Sequence, residues 1–171
     1  AIRAGAANCV LCGGVESMSQ APYLLQRARS GYKFGDGALF DSILRDGLVD
    51  AFDHRHMALT VEALATDFGI SRAQQDAFAL QSQQRTAAAQ KAGRLADEIV
   101  PLPSRMSVMN KDTGKASIED ITLEHDEGNR PSTTLEGLQS LKPVRENGYI
   151  TAGNASQLSD GASAAVVMSA K

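Results

Sequence analysis

Two stretches of the chain space their apolar residues as a helix does, and two others are apolar with no helical spacing. Val61, Leu64, Ala65 and Phe68 stand at i, i+3, i+4 and i+7, one face of a helix, and Gly69 supplies its stop. Directly after it, Ser71 with Gln74 three residues on makes a capping-box pattern, so a second helix is predicted to begin there and to end at Gly93. Its apolar stripe is narrow, consisting of Ala73, Ala77 and Leu80, and its glutamine-rich face is expected to meet solvent. The segment Asn8-Cys9-Val10-Leu11-Cys12 and the run from Gly161 to Ala170 lack that polar spacing and predict two strands covered on both faces. Ala1 to Ala7, with Gly5 near its stop, reads as the end of a helix leading into the first strand. Two buried strands need neighbours and helical cover, and few other strand candidates lie between them. The sheet is therefore expected to continue in sequence beyond this segment. Between residues 101 and 130 turn formers dominate, and Asn110-Lys111-Asp112-Thr113-Gly114-Lys115 reads as a hairpin or loop tip at the surface. The pattern as a whole is α/β.

Composition narrows the function. With 171 residues and 43% hydrophobic content the chain can form a domain with a core, and a net charge of -3 argues against a surface built to bind nucleic acid through bulk charge. No apolar run approaches the roughly 20 residues of a spanning helix, and no signal-like segment opens the chain. A soluble, cytoplasmic protein is expected, or an organellar one if a transit peptide precedes. Cys9 and Cys12 have a Cys-x-x-Cys spacing, but no further ligands at suitable spacing accompany them, and Val10 and Leu11 between them suit a strand. They are read as structural, on opposite strand faces, and no metal site is predicted.

Several separated motifs carry a resemblance. Near the ends stand Gly13-Gly14-Val15-Glu16-Ser17-Met18-Ser19 and Thr151-Ala152-Gly153-Asn154-Ala155-Ser156, the latter continuing into Ser159-Asp160-Gly161-Ala162. Between them come Arg45-Asp46-Gly47-Leu48-Val49-Asp50, His56-Met57 with Thr60 and Glu62, Gly93-Arg94 before Glu98-Ile99-Val100-Pro101, and Arg130 ahead of Thr134-Leu135. In this order they resemble the thiolase family over nearly the whole chain. The resemblance implies a thiolase-like fold: residues 1–19 and 150–171 as parts of the N-terminal core domain, and 20–149 as an inserted, mostly helical loop domain. It also implies acyl transfer between coenzyme A thioesters, either condensing two acetyl-CoA to acetoacetyl-CoA or cleaving a 3-ketoacyl-CoA, with no permanently bound cofactor. Assembly as a homo-oligomer, dimer or tetramer, and a place in fatty acid metabolism follow from the same resemblance.

Carried over by motif, Leu48, His56 and Met57 would line the pantetheine and acyl tunnel, Ala152 and Ser156 would touch pantetheine, and Arg130 would lie near the adenosine and phosphate end. The chemistry suits these residue types. Small residues let backbone approach a narrow arm, and an arginine can meet a phosphate or stack on adenine. Ala58 stands where the family commonly has glycine, which bears on acyl-chain preference. No catalytic group is assigned within this chain. The nucleophilic cysteine of a Cys-x-Ser motif is expected upstream, and Asn-Glu-Ala-Phe, Gly-His-Pro and Cys-x-Gly segments downstream, so the chain reads as an internal fragment, inactive alone.

Two other readings compete. One is a coenzyme A-binding or partner-binding protein that kept the thiolase scaffold without its nucleophile. The other is a helix-turn-helix DNA-binding module built from the two helices around Gly69-Ile70-Ser71, which charge opposes because the second helix has only Arg72 before Arg85. Gly31-Tyr32-Lys33-Phe34-Gly35-Asp36-Gly37 lacks the Gly-Lys-Ser/Thr ending of a P-loop and reads as a loop.

Overall fold

A computed structural model describes residues 1–170. The chain divides into two compact units, Ala1–Gly69 with the segment from Ser156 onward, and Ile70–Ala155.

In the first unit, β1 (Cys9–Glu16) pairs antiparallel with β6 (Gly161–Met168), from Cys9 opposite Met168 to Glu16 opposite Gly161. The two ends of the sequence thus meet in one ladder. Gly13 lies opposite Ala164, and a Cβ there would come within 2.9 Å of the Ser163 carbonyl oxygen, so this motif glycine permits the strands' close approach. Both strands were expected to find their cover in sequence beyond this segment, and within this chain they stand open: Leu11 and Val15 are 75% and 78% exposed. No layer of helices in the described residues covers them. Ala1 to Ala7 forms no helix of its own, but its turn carries the bonds of a helix C-cap, Ala6 N–H to Ala1 carbonyl and Gly5 N–H to Ile2 carbonyl with Gly5 at φ +71°, as expected of a helix end.

The same unit holds a short antiparallel pair, β2 (Tyr23–Leu25) with β3 (Leu39–Asp41), and the helix α1 (Met57–Asp67). The Gly31–Gly37 stretch lies between β2 and β3 without helix or strand, as its composition suggests. Helix α1 ends at Phe68, and Gly69 follows at φ +64°.

In the second unit α2 (Arg72–Lys91) opens with the complete capping box, Ser71 and Gln74 bonding reciprocally. Its burial departs in part from the expected orientation. Leu80 of the apolar stripe is half-buried and Gln74, Gln81 and Gln84 are exposed as expected, but Ala73 and Ala77 are exposed, whereas Asp76 is fully buried and Gln83 and Gln90 are half-buried. Arg72, Asp76, Gln83 and Gln90 follow one another at four, seven and seven residues, which is one helical face, and it is this polar face that α2 turns inward. The helix α3 (Leu135–Gln139), capped by Thr134, packs against α2. Between them comes an antiparallel hairpin, β4 (Leu102–Met109) with β5 (Ala116–Leu123). The expected tip forms: Asn110 accepts at its side-chain oxygen from the Asp112 and Thr113 amides. The eight-residue strands on either side were not expected, nor were β2 and β3.

The buried apolar residues among those described are Ala65, Leu138 and Ile150. A surface of 14167 Å² exceeds the ~8,000 Å² expected of a folded monomer of this mass. Much apolar surface is left uncovered within this chain.

Candidate functional site

Leu48, His56 and Met57 fall together in the first unit. A π-helical turn, Leu44–Leu48, delivers Leu48, half-buried, to Val49, and Val49 forms a β-bridge with His56. The loop between them closes on Asp50. Its amide donates to the Arg55 carbonyl at 2.8 Å, its carboxylate accepts from the Phe52 amide at 2.9 Å, and its carbonyl accepts from the His54 amide. Arg55 pairs with Asp53, which raises the guanidinium pKa chiefly through that hydrogen bond. The loop thus stands His56 at the head of α1, where Nδ1 accepts from the Ala58 amide at 3.1 Å. His56 is the N-cap of the helix. Met57, the first helical residue, is 50% exposed. Ala58, the second helical residue, favours the helix by up to about 1 kcal/mol over a glycine.

Arg130 and Ala152 fall in the second unit. The Arg130 amide donates to Gln83 Oε1 at 2.7 Å, and that oxygen also accepts from Asn129 Nδ2 at 2.9 Å, so α2 fixes the backbone that carries Arg130 while its side chain stays exposed. Gln90 Nε2 donates to the Asp126 carbonyl about two turns further along the same face. Ala152 sits exposed on the turn Thr151–Ala155, in which the Asn154 and Ala155 amides donate back to the Thr151 carbonyl. Asn154 organises this turn. Its Oδ1 accepts from the Thr151 amide at 2.8 Å, and its Nδ2 donates to the Tyr149 carbonyl at 3.0 Å and to Asp76 Oδ1 at 3.1 Å. Asp76 in turn accepts from Arg72 Nε at 2.7 Å, and Arg72 donates to the carbonyls of Leu138 and Leu141 at 2.7 and 3.2 Å. Thr151 is fully buried, and Gly153 lies so close to Leu138 and Leu141 that a Cβ would reach 2.5 and 2.6 Å from their methyl carbons. Ser156, exposed, follows directly and donates to the Gln157 carbonyl.

Sequence patterning pointed to none of Arg72, Asp76, Gln83 or Asn154 as site-building residues. A signal was available: an Arg–Asp pair at i, i+4 with glutamines at heptad spacing beyond it marks one polar helix face, which was read as solvated.

Outside these groups, Asp160 is a further tightly held carboxylate. It accepts from the Ser19 hydroxyl and from the Ser19 amide at 2.9 Å, joining the end of the Gly13–Ser19 motif to the start of β6. The Ser19 hydroxyl, then its amide, lowers the Asp160 pKa. Cys9 and Cys12 are free thiols on β1, exposed rather than buried. No cluster of three or more histidine, cysteine or carboxylate groups able to hold a metal occurs among the described residues, and no helix there is long and apolar enough to cross a membrane.

A family model described as the N-terminal domain of thiolase matches residues 1–171, and the chain belongs to the thiolase family. Among curated proteins it is 46% identical to the acetyl-CoA acetyltransferase of Pseudomonas aeruginosa over 173 residues, covering 99% of this chain and 41% of that protein. It is 45% identical to the probable acetyl-CoA acetyltransferase of Escherichia coli, again over 99% of this chain and 41% of the relative. Among solved structures, human mitochondrial 3-ketoacyl-CoA thiolase in complex with CoA is 44% identical with a TM-score of 0.79, over 97% of this chain and 39% of that one. The chain therefore spans about 41% of the length of the curated relatives it matches.

Proposed function

We propose that the full-length product of the gene carrying this chain is an acyltransferase that moves acyl groups reversibly to coenzyme A, condensing two acetyl-CoA or cleaving a 3-ketoacyl-CoA. The observation that carries this reading is the match of the entire chain to acetyl-CoA acetyltransferases at 46% identity, without a stretch left over for another activity. The local geometry supports it. Leu48 and Met57 offer apolar surface beside His56, and the Thr151–Ala155 turn presents a small residue, Ala152, that lets a pantetheine arm approach backbone. Arg130 offers an exposed guanidinium on a backbone held by Gln83, suited to a phosphate or to the adenine face. In this reading residues 20–149 form the loop domain, and the reacting groups come from sequence outside this chain. Homo-oligomeric assembly, work in the cytoplasm and a place in fatty acid metabolism rest on the family resemblance.

The test is thiolysis of acetoacetyl-CoA by the purified full-length product, followed by loss of the enolate absorbance. CoA-dependent turnover is expected. Saturable CoA binding with no turnover on any 3-ketoacyl-CoA would instead make it a binding protein on a thiolase scaffold.

A further inference from the structure

The least exposed ionisable side chain described is Asp76, which has no exposed surface and whose carboxylate reaches two elements at once. One oxygen accepts from Arg72 in its own helix, and the other accepts from Asn154 in the Thr151–Ala155 turn, 78 residues away in sequence. Withdrawing a carboxylate from water is costly, so a buried one persists only where hydrogen bonds and an opposite charge replace the lost solvent. Arg72 and Asn154 supply both. A carboxylate that merely stabilised a helix could have formed the same i, i+4 pair on the exposed face, where burial costs nothing. Here it is spent on orienting an amide.

Asn154 is the residue through which that orientation acts. Its position needs one acceptor, for the Thr151 amide, and two donors, for the Tyr149 carbonyl and Asp76, and a carboxamide offers that set. Asp76 also settles which way the amide faces, because only nitrogen can point at a carboxylate. With Nδ2 fixed there, Oδ1 must face the Thr151 amide, and the turn that displays Ala152 is held in one shape. Arg72 secures the opposite wall by binding the Leu138 and Leu141 carbonyls, whose side chains close on Gly153.

We infer that Asp76 and Asn154 are positioning residues for thioester binding: the buried carboxylate locks the Asn154 amide, and the locked amide sets the turn against which the pantetheine arm lies. This rests on the function proposed above. Asp76 touches no substrate and acts only through Asn154.

The test is steady-state thiolysis by the full-length product and its variants, with active enzyme counted by titration of the acylated form. Asp76→Ala and Asn154→Asp should each raise the KM for CoA about tenfold while kcat per active site changes little, as expected when a hydrogen bond to a charged group is lost. Asp76→Asn should keep a near-normal KM, because its amide oxygen can still accept from Asn154, and only thermal stability should fall. In the double variant Asp76→Ala/Asn154→Ala, the KM should be no worse than in Asn154→Ala alone, since both changes remove one device. If Asp76→Ala does not fold, Asn154→Asp and Asn154→Ser report on the same turn through KM, and hydrogen exchange at the Thr151 amide should speed up in Asn154→Ser, whose shorter side chain withdraws the acceptor. Unchanged KM in the folded variants, with lowered stability alone, would make the network a structural brace and overturn the inference while leaving the proposed activity intact. A wild-type product that neither binds nor turns over CoA thioesters would remove the activity and this inference with it.

Discussion

Gly153 shows how narrowly a single position is constrained. With a Cβ placed 2.5 and 2.6 Å from the Leu138 and Leu141 methyl carbons, an alanine must displace side chains of which Leu138 is only 4% exposed. Gly153→Ala should therefore destabilise the protein by about 1–3 kcal/mol, the usual cost of overpacking, measured as the shift in urea midpoint. An unchanged midpoint would mean that the two leucines can move aside at no cost. Asn154 lies one residue on, yet its importance has another physical source, the pairing of an acceptor and two donors with three fixed partners. Sequence alone exposed the motif Thr151-Ala152-Gly153-Asn154 but not this division of labour. Glycine and asparagine both suit turns, and only the positions of Leu138 and Asp76, distant in sequence, separate close approach from amide bonding. His56 is a similar case. Its place in a motif was legible, whereas its work as the N-cap of α1 was not, since histidine is an uncommon cap and its partner amide at Ala58 becomes apparent only once the Asp50 loop is closed.

Among the elements, α2 and the β1–β6 pair depart most from expectation. The limits of α2 followed from chemistry that acts locally, a reciprocal Ser71–Gln74 cap and a glycine past the end. Its facing followed only in part, because burial was inferred from alanine and leucine spacing, while the helix also turns inward Asp76, which holds the Asn154 side chain, and Arg72, Gln83 and Gln90, which bind loop backbone. The β4–β5 hairpin was foreseen at its tip, but its strands were not, for a related reason. Its strands mix serine, arginine and acidic residues with apolar ones, and much of it stays exposed, so no buried period marks it. The β1–β6 ladder was half legible. Both strands were foreseen, their pairing with each other was not, and neither is buried within this chain. One contact at the end of that ladder carries a pH signature. The pKa of Asp160 is lowered by the Ser19 hydroxyl and amide, so this clamp contributes stability above the ordinary carboxylate range, and that contribution is lost as pH falls through the lowered value. The thermal midpoint of the full-length product should thus exceed that of its Asp160→Asn variant at neutral pH, and the gap should close below about pH 4. A gap that persisted undiminished in acid would place the effect outside this carboxylate.

For the whole molecule, the chain is two compact units, and the residues assigned by motif are divided between them: Leu48, His56, Met57 and Ser156 in the first, Arg130 and Ala152 in the second. Family and fold were legible from the order of the motifs, and the match across all 171 residues bears that out. That the terminal strands take their cover from beyond this segment was also expected, and their apolar faces do remain open in a chain that corresponds to 41% of its relatives' length. The central proposal is that the full-length product binds coenzyme A and that Arg130 contributes to that binding, and the most direct measurement is the dissociation constant of CoA for the full-length product, by calorimetry, beside its Arg130→Glu variant. Saturable binding is expected, weakened about tenfold or more by Arg130→Glu through loss of an attractive charge and gain of a repulsive one, and less so as salt is raised. No saturable binding by the wild-type protein, or equal affinity in both proteins, would contradict the account.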